Sequence, residues 1–124
     1  MRPREFLDVL ENPQAPSCGA TGEQAEILRT MLVHLFFIDR ELDRAELAVL
    51  VRVLPERANL RDYVQSAAMR RLDLERLAAL FPDATDRDDI VTLAEHAAWG
   101  DNRLERGERS LLERLMETLG VSRA

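Results

Sequence analysis

The sequence predicts an all-α fold, a single compact domain of about seven helices. Three observations carry this. Apolar residues recur at three- and four-residue intervals through most of the chain, no stretch shows strand alternation bounded by Asn-Gly or Asp-Gly turns, and most of the glycines and prolines fall between the periodic segments. At 124 residues the chain has the length of one ordinary domain, enough to bury roughly two thirds of its unfolded surface. Hydrophobic residues make up 46% and charged residues 32%, which is the balance of a packed globular protein and not of a disordered one.

The elements follow in order. A short helix is expected from about Pro3 to Leu10, and the segment 11–22 then supplies Pro13, Pro16, Gly19 and Gly22 as breakers. We read residues 1–23 as an N-terminal helix and loop, and residues 24–124 as the helical domain proper. Thr21 and Gln24 have the spacing of a capping box, and the helix that follows, EQAEILRTMLVHLFFID, is apolar on nearly every side, so it should be central and buried. A helix from about Asp43 to Leu54 stops at Pro55. Helices at about Leu60–Arg71 and Asp73–Leu80 lead to the break FPDATD. The last two run from about Asp86 to Trp99 and from about Glu105 to Leu119, where Gly120 provides the left-handed residue that closes many helices.

The chain contains one arrangement twice. At an offset of 62 positions His34 falls on His96, Asp39 on Asp101, Leu42 on Leu104, Arg44 on Arg106, Glu46 on Glu108, Leu50 on Leu112 and Arg52 on Arg114. Identity this dense over some twenty positions points to an internal duplication, covering about 34–54 and 96–116. Two copies are too few for a solenoid, so two pseudo-symmetric helix-turn-helix halves sharing one core are the expected packing.

At Asp39-x-x-Leu42-x-x-x-Glu46 and Asp101-x-x-Leu104-x-x-x-Glu108 the sequence resembles the TerB-like family, over about residues 24 to 120. That family's turn follows its Asp with a glycine; here the glycine is replaced by Arg40 and Asn102, and Asn accepts a left-handed backbone far better than Arg does. The resemblance implies an all-helical fold, acidic turns that bind a divalent metal, and an accessory role tied to tellurite resistance or stress response. The alternative is a metal-free helical adaptor for protein–protein interaction.

Candidate metal ligands are accordingly Asp101 and Glu108, with Asp39 and Glu46 after them and Asp43 and Glu105 as secondary members. Oxygen ligands of this kind suit calcium or magnesium. Acidic residues here also cap helix N-termini, and Arg40, Arg44, Arg103, Arg106 and Arg109 lie among them as competing partners. His34 and His96 precede their aspartates by five residues, about 140° around a helix, so each His and its Asp lie on different faces. Both histidines are expected in the helix core, ring-bonded to a neighbouring backbone or side chain, and not as a metal or proton-transfer pair. Phe36, Phe37 and Trp99 are expected to pack in the core.

Nothing in the chain has the form of a phosphate loop, a dinucleotide turn or a zinc-protease helix, so the expectation is a non-enzymatic protein with no nucleotide or flavin cofactor. Seventeen basic residues, all arginine, against 23 acidic ones give a net charge of −6, which disfavours nucleic acid and anionic membranes as partners and leaves a protein partner. A single cysteine, Cys18, gives no disulfide framework or thiolate site, and no segment is long and apolar enough for membrane insertion. The expected location is cytoplasmic.

Overall fold

The computed structural model describes residues 2–12, 14, 18–19, 21–36, 44–54, 59–98 and 106–122; the side chains of residues 44–47, 49 and 106–108 lie outside that description. Its described residues form seven α-helices and no strand: α1 (Pro3–Glu11), α2 (Glu23–Phe36), α3 (Arg44–Val53), α4 (Leu60–Met69), α5 (Leu74–Leu80), α6 (Ala84–Ala98) and α7 (Arg106–Leu119). The predicted fold class is the observed one.

α2 and α6 form the centre. They pack on each other, α1 and α7 cover α6, and α3, α4 and α5 cover α2. Their sequences show why: neither has a polar stripe wide enough for a surface helix, and nine residues of α2 and six of α6 are buried. At the offset of 62, Leu28 and Ile90, Met31 and Leu93, Leu35 and Ala97, Leu50 and Leu112, and Val53 and Leu115 are buried in both copies, whereas Ala25 and Val33 are buried and their counterparts Arg87 and Glu95 are only partly so. α1 belongs to the same core: Phe6, Leu7 and Val9 are almost completely enclosed, and α1 packs on α6 and α3.

The helix starts follow local chemistry, with one departure. Asn59 caps α4 by accepting from the Asp62 N–H at 3.1 Å, and Asp73 caps α5 by accepting from the Arg76 N–H at 3.0 Å. Asp83 accepts from the Thr85 and Asp86 N–H groups and opens α6 two residues earlier than expected. The expected Thr21/Gln24 capping box does not form. Gly22, at φ +105°, occupies the position before α2, and the Gln24 side-chain amide instead donates to the Leu80 carbonyl at 2.8 Å. A tertiary acceptor at the end of α5 wins over the local one.

The helix C-termini show what the arginines do. Each helix end leaves carbonyls without intrahelical donors. Arg52 donates to the Val9 and Asn12 carbonyls at the C-terminal end of α1, Arg29 to the Val53 carbonyl at the end of α3, and Arg87 to the Ala78, Phe81 and Leu119 carbonyls that close α5 and α7. A planar five-donor fork reaches several carbonyls at once, and its charge suits the negative end of a helix dipole. At α7, Gly120 (φ +69°) completes the predicted left-handed close: Val121 N–H donates to Met116 O at 3.0 Å and Gly120 N–H to Glu117 O at 3.3 Å.

Candidate functional site

The acidic turns fall mostly outside the described residues. Asp39, Asp43, Asp101 and Glu105 lie there, as do Phe37 and Trp99, while Glu46 and Glu108 sit within α3 and α7 with their side chains undescribed. Among the described residues no three His, Cys, Asp or Glu side chains gather as a metal-holding group.

The two histidines have different surroundings. His34, near the end of α2, is half-buried, and its Nε2 lies 2.7 Å from the Arg70 carbonyl and 3.2 Å from the Ala67 carbonyl. Two carbonyl acceptors require a proton on Nε2, so the ring acts as a donor that closes α4. That matches the expected core histidine bonded to backbone. His96 does not. It is exposed on α6 and its Nε2 lies 3.3 Å from Glu11 Oε1 on α1. The reason is the flanking sequence: Ala97 and Ala98 face inward beside Leu93 and Ala94, which turns position 96 outward.

Two constellations remain among the described residues. The first is centred on Glu26 of α2. Its Oε1 lies 3.0 Å from Arg29 Nη1, while its Oε2 accepts from the Tyr63 hydroxyl at 2.7 Å and lies 3.7 Å from Arg70 Nη1. Arg29 is fully enclosed, with its guanidinium carbon 5.3 Å from the Phe6 ring centre. Helices α1 to α4 all contribute to this cluster, and among the described residues no buried side-chain polar atom lacks a partner. Burial, followed by the hydrogen bond to Glu26, raises the Tyr63 phenol above its ordinary value.

A pH prediction follows from that shift. A phenol whose folded pKa is raised adds stability that is complete below the unfolded value, near 10, and is lost as pH rises above it. Melting temperature should therefore fall on the alkaline side from about pH 10 upward, and Tyr63→Phe should remove that part of the fall. Tyr63 is the chain's one tyrosine, so phenolate absorbance reports it directly; titration at the ordinary tyrosine value in the folded protein would contradict the cluster.

The second constellation is an open groove of about 750 Å³. Arg71, Leu72 and Asp73 reach it from the turn between α4 and α5, Leu74 and Glu75 from the start of α5, Leu111, Arg114 and Thr118 from α7, and His34 from α2. Residues 111, 114 and 118 share one helix face by their spacing, and α5 packs against α7 to bring the two sides together. The size is within the range of ligand sites, and six of the nine described lining residues are polar or charged, Arg71 and Arg114 against Asp73 and Glu75 among them. Asp73 is already committed to capping α5, and the Thr118 hydroxyl donates to the Arg114 carbonyl at 2.8 Å. Among the described lining residues the one hydroxyl, Thr118 Oγ1, is bonded to a backbone carbonyl and not to a base.

Sequence reasoning did not find either constellation. The groove lies away from the duplicated turns, and its one sequence signal was the run Arg71-Leu72-Asp73-Leu74, which places leucines on both sides of a helix cap. Arg29 had a clearer signal, a charge inside a helix that is apolar on nearly every side. Cys18 is half-buried against the core, its N–H donating to the Arg52 carbonyl at 2.8 Å. No described helix is long and apolar enough to cross a membrane. Compared with protein-family models, curated proteins and solved structures, the chain matches none.

Proposed function

We propose that this chain is a non-enzymatic binding module that acts by docking a partner protein. The observation that supports this reading best is the groove between α5 and α7, whose described lining sets Leu72, Leu74 and Leu111 among charged side chains of both signs, Arg71 and Arg114 with Asp73 and Glu75. The net charge of −6 supports a protein partner over nucleic acid or an anionic membrane. Affinity capture from the native cell extract tests it: a partner held in stoichiometric amount is expected, and repeated recovery of none would contradict it.

A second reading rests on the duplicated Asp-x-x-Leu-x-x-x-Glu pattern. In it the module is TerB-like, serves a stress or tellurite-resistance process in the cytoplasm, and holds a calcium or magnesium ion at Asp101 and Glu108, with Asp39 and Glu46 as the weaker pair. An ion at one hundred times its dissociation constant adds about 2.7 kcal/mol to stability. Melting in chelator, calcium, magnesium and manganese should then show an upward shift that Asp101→Asn and Glu108→Gln abolish. Equal melting temperatures in all four conditions leave the acidic residues as helix caps, whose loss costs about 0.5 to 2 kcal/mol regardless of ions.

A further inference from the structure

We infer that Arg87 is the positioning residue of the α5–α7 groove: from α6, outside the groove lining, its one guanidinium group holds the C-terminal ends of both walls and so sets their separation. This rests on the binding-module reading and adds what keeps that module's groove in shape.

The wall that depends most on outside support is α5. It has seven residues, a length that is not stable by backbone bonding alone, and its C-cap Phe81 lies outside helical geometry. Side chains from the two central helices close its end. Gln24 of α2 donates to the Leu80 carbonyl at 2.8 Å, while Arg87 of α6 donates through Nε to the Phe81 carbonyl at 2.7 Å and through Nη2 to the Ala78 carbonyl at 2.9 Å. The remaining prong of the same fork, Nη1, donates to the Leu119 carbonyl at the end of α7 at 3.3 Å. Leu119 directly follows Thr118 of one groove wall, and Ala78 lies about one turn beyond Glu75 of the other.

α5 also packs directly on α7. Apolar contact is non-directional, however, whereas hydrogen bonds from a planar fork fix an angle as well as a distance. Arg87 is itself well placed to serve as the fixed point. It lies near the start of α6, its backbone N–H donating to the Asp83 carbonyl at 3.0 Å, and α6 is the central helix on which α7 packs. The equivalent position in the first half of the repeat is Ala25, so the fork belongs to the half whose last helix forms a groove wall.

The test measures the separation of the walls. In the full chain carrying Cys18→Ser, spin labels at Glu75→Cys and Arg114→Cys, exposed positions on opposite walls, report the α5–α7 distance by electron paramagnetic resonance. A single narrow distribution is expected. Arg87→Met should broaden it and lengthen its mean by about 1–2 Å, the scale on which packed helices shift. Arg87→Lys keeps the charge but not a fork that reaches three acceptors on two helices, so it should broaden the distribution as well and carries the test if the methionine variant does not fold. Arg29→Met, which removes an arginine from the other half, should leave the distribution unchanged and so separates positioning from general loss of stability. Unchanged distributions in the folded Arg87 variants, or the same broadening in Arg29→Met, would overturn the proposal. Failure of the docking reading looks different, because the distance needs no partner: dependence on Arg87 in a chain that captures nothing from extract leaves the positioning role and removes the module. A partner captured by the wild type should be held more weakly by Arg87→Lys, and equal capture would show that the partner does not depend on the separation Arg87 sets.

Discussion

Removal of residues 2–12 is expected to abolish the native fold and not merely trim it. α1 places Phe6, Leu7 and Val9 in the core with at most 2% of each exposed, and each such side chain is worth roughly 1.5–3 kcal/mol on burial. Their combined contribution is comparable with the whole stability of a small domain, roughly 5–15 kcal/mol. Further losses accompany it: one face of α6 would be uncovered, Arg52 would lose its carbonyl acceptors at Val9 and Asn12, and Arg29 would lose the ring beneath it. The shortened chain should show weak, non-cooperative unfolding by circular dichroism and bind hydrophobic dye. A cooperative transition close to that of the full chain would show that α1 is dispensable.

Arg29→Met should destabilise the fold by about 3 kcal/mol, roughly 10 °C in melting temperature. Methionine fills much of the same space, so the loss is electrostatic and not a cavity. The Val53 carbonyl would lose its donor, and Glu26 would lose the enclosed partner that holds it, while Tyr63 and Arg70 remain. The estimate sits at the low end for a broken buried pair because Glu26 is about one third exposed and can recruit water. Arg29→Lys should fall between, since it keeps the charge but not a fork that reaches Val53 and Glu26 together. Urea unfolding checks both. A loss under about 1 kcal/mol for Arg29→Met would mean that the cluster is not a significant source of stability.

How much of this was legible in the sequence differs from element to element. Helices were readable because periodicity and caps are local: Asn59, Asp73, Asp83 and Gly120 each act within a few residues of themselves. Long-range hydrogen bonding was not readable. Thr21 and Gln24 have capping-box spacing, yet Gln24 spends its amide on Leu80, 56 positions away. His34 and His96 occupy equivalent places in the repeat but not equivalent environments, because α4 ends against one and the C-terminus of α1 lies beside the other. Arg29 and its counterpart Val91 make the same point: both are fully buried, and only the first half of the repeat carries the charged cluster. The all-arginine composition reads in sequence as a genomic bias or a means of carboxylate pairing. In the fold three of the arginines, Arg29, Arg52 and Arg87, serve helix C-termini, a use visible only once carbonyls from distant segments are brought to one place.

Affinity capture of the full chain from native extract, run in chelator and in calcium and repeated with Arg71→Glu/Arg114→Glu, tests partner docking most directly. The expected result is a stoichiometric partner held by the wild type in both conditions and released by the double variant. A partner held only in calcium, one held equally by both proteins, or none at all would contradict docking at the groove.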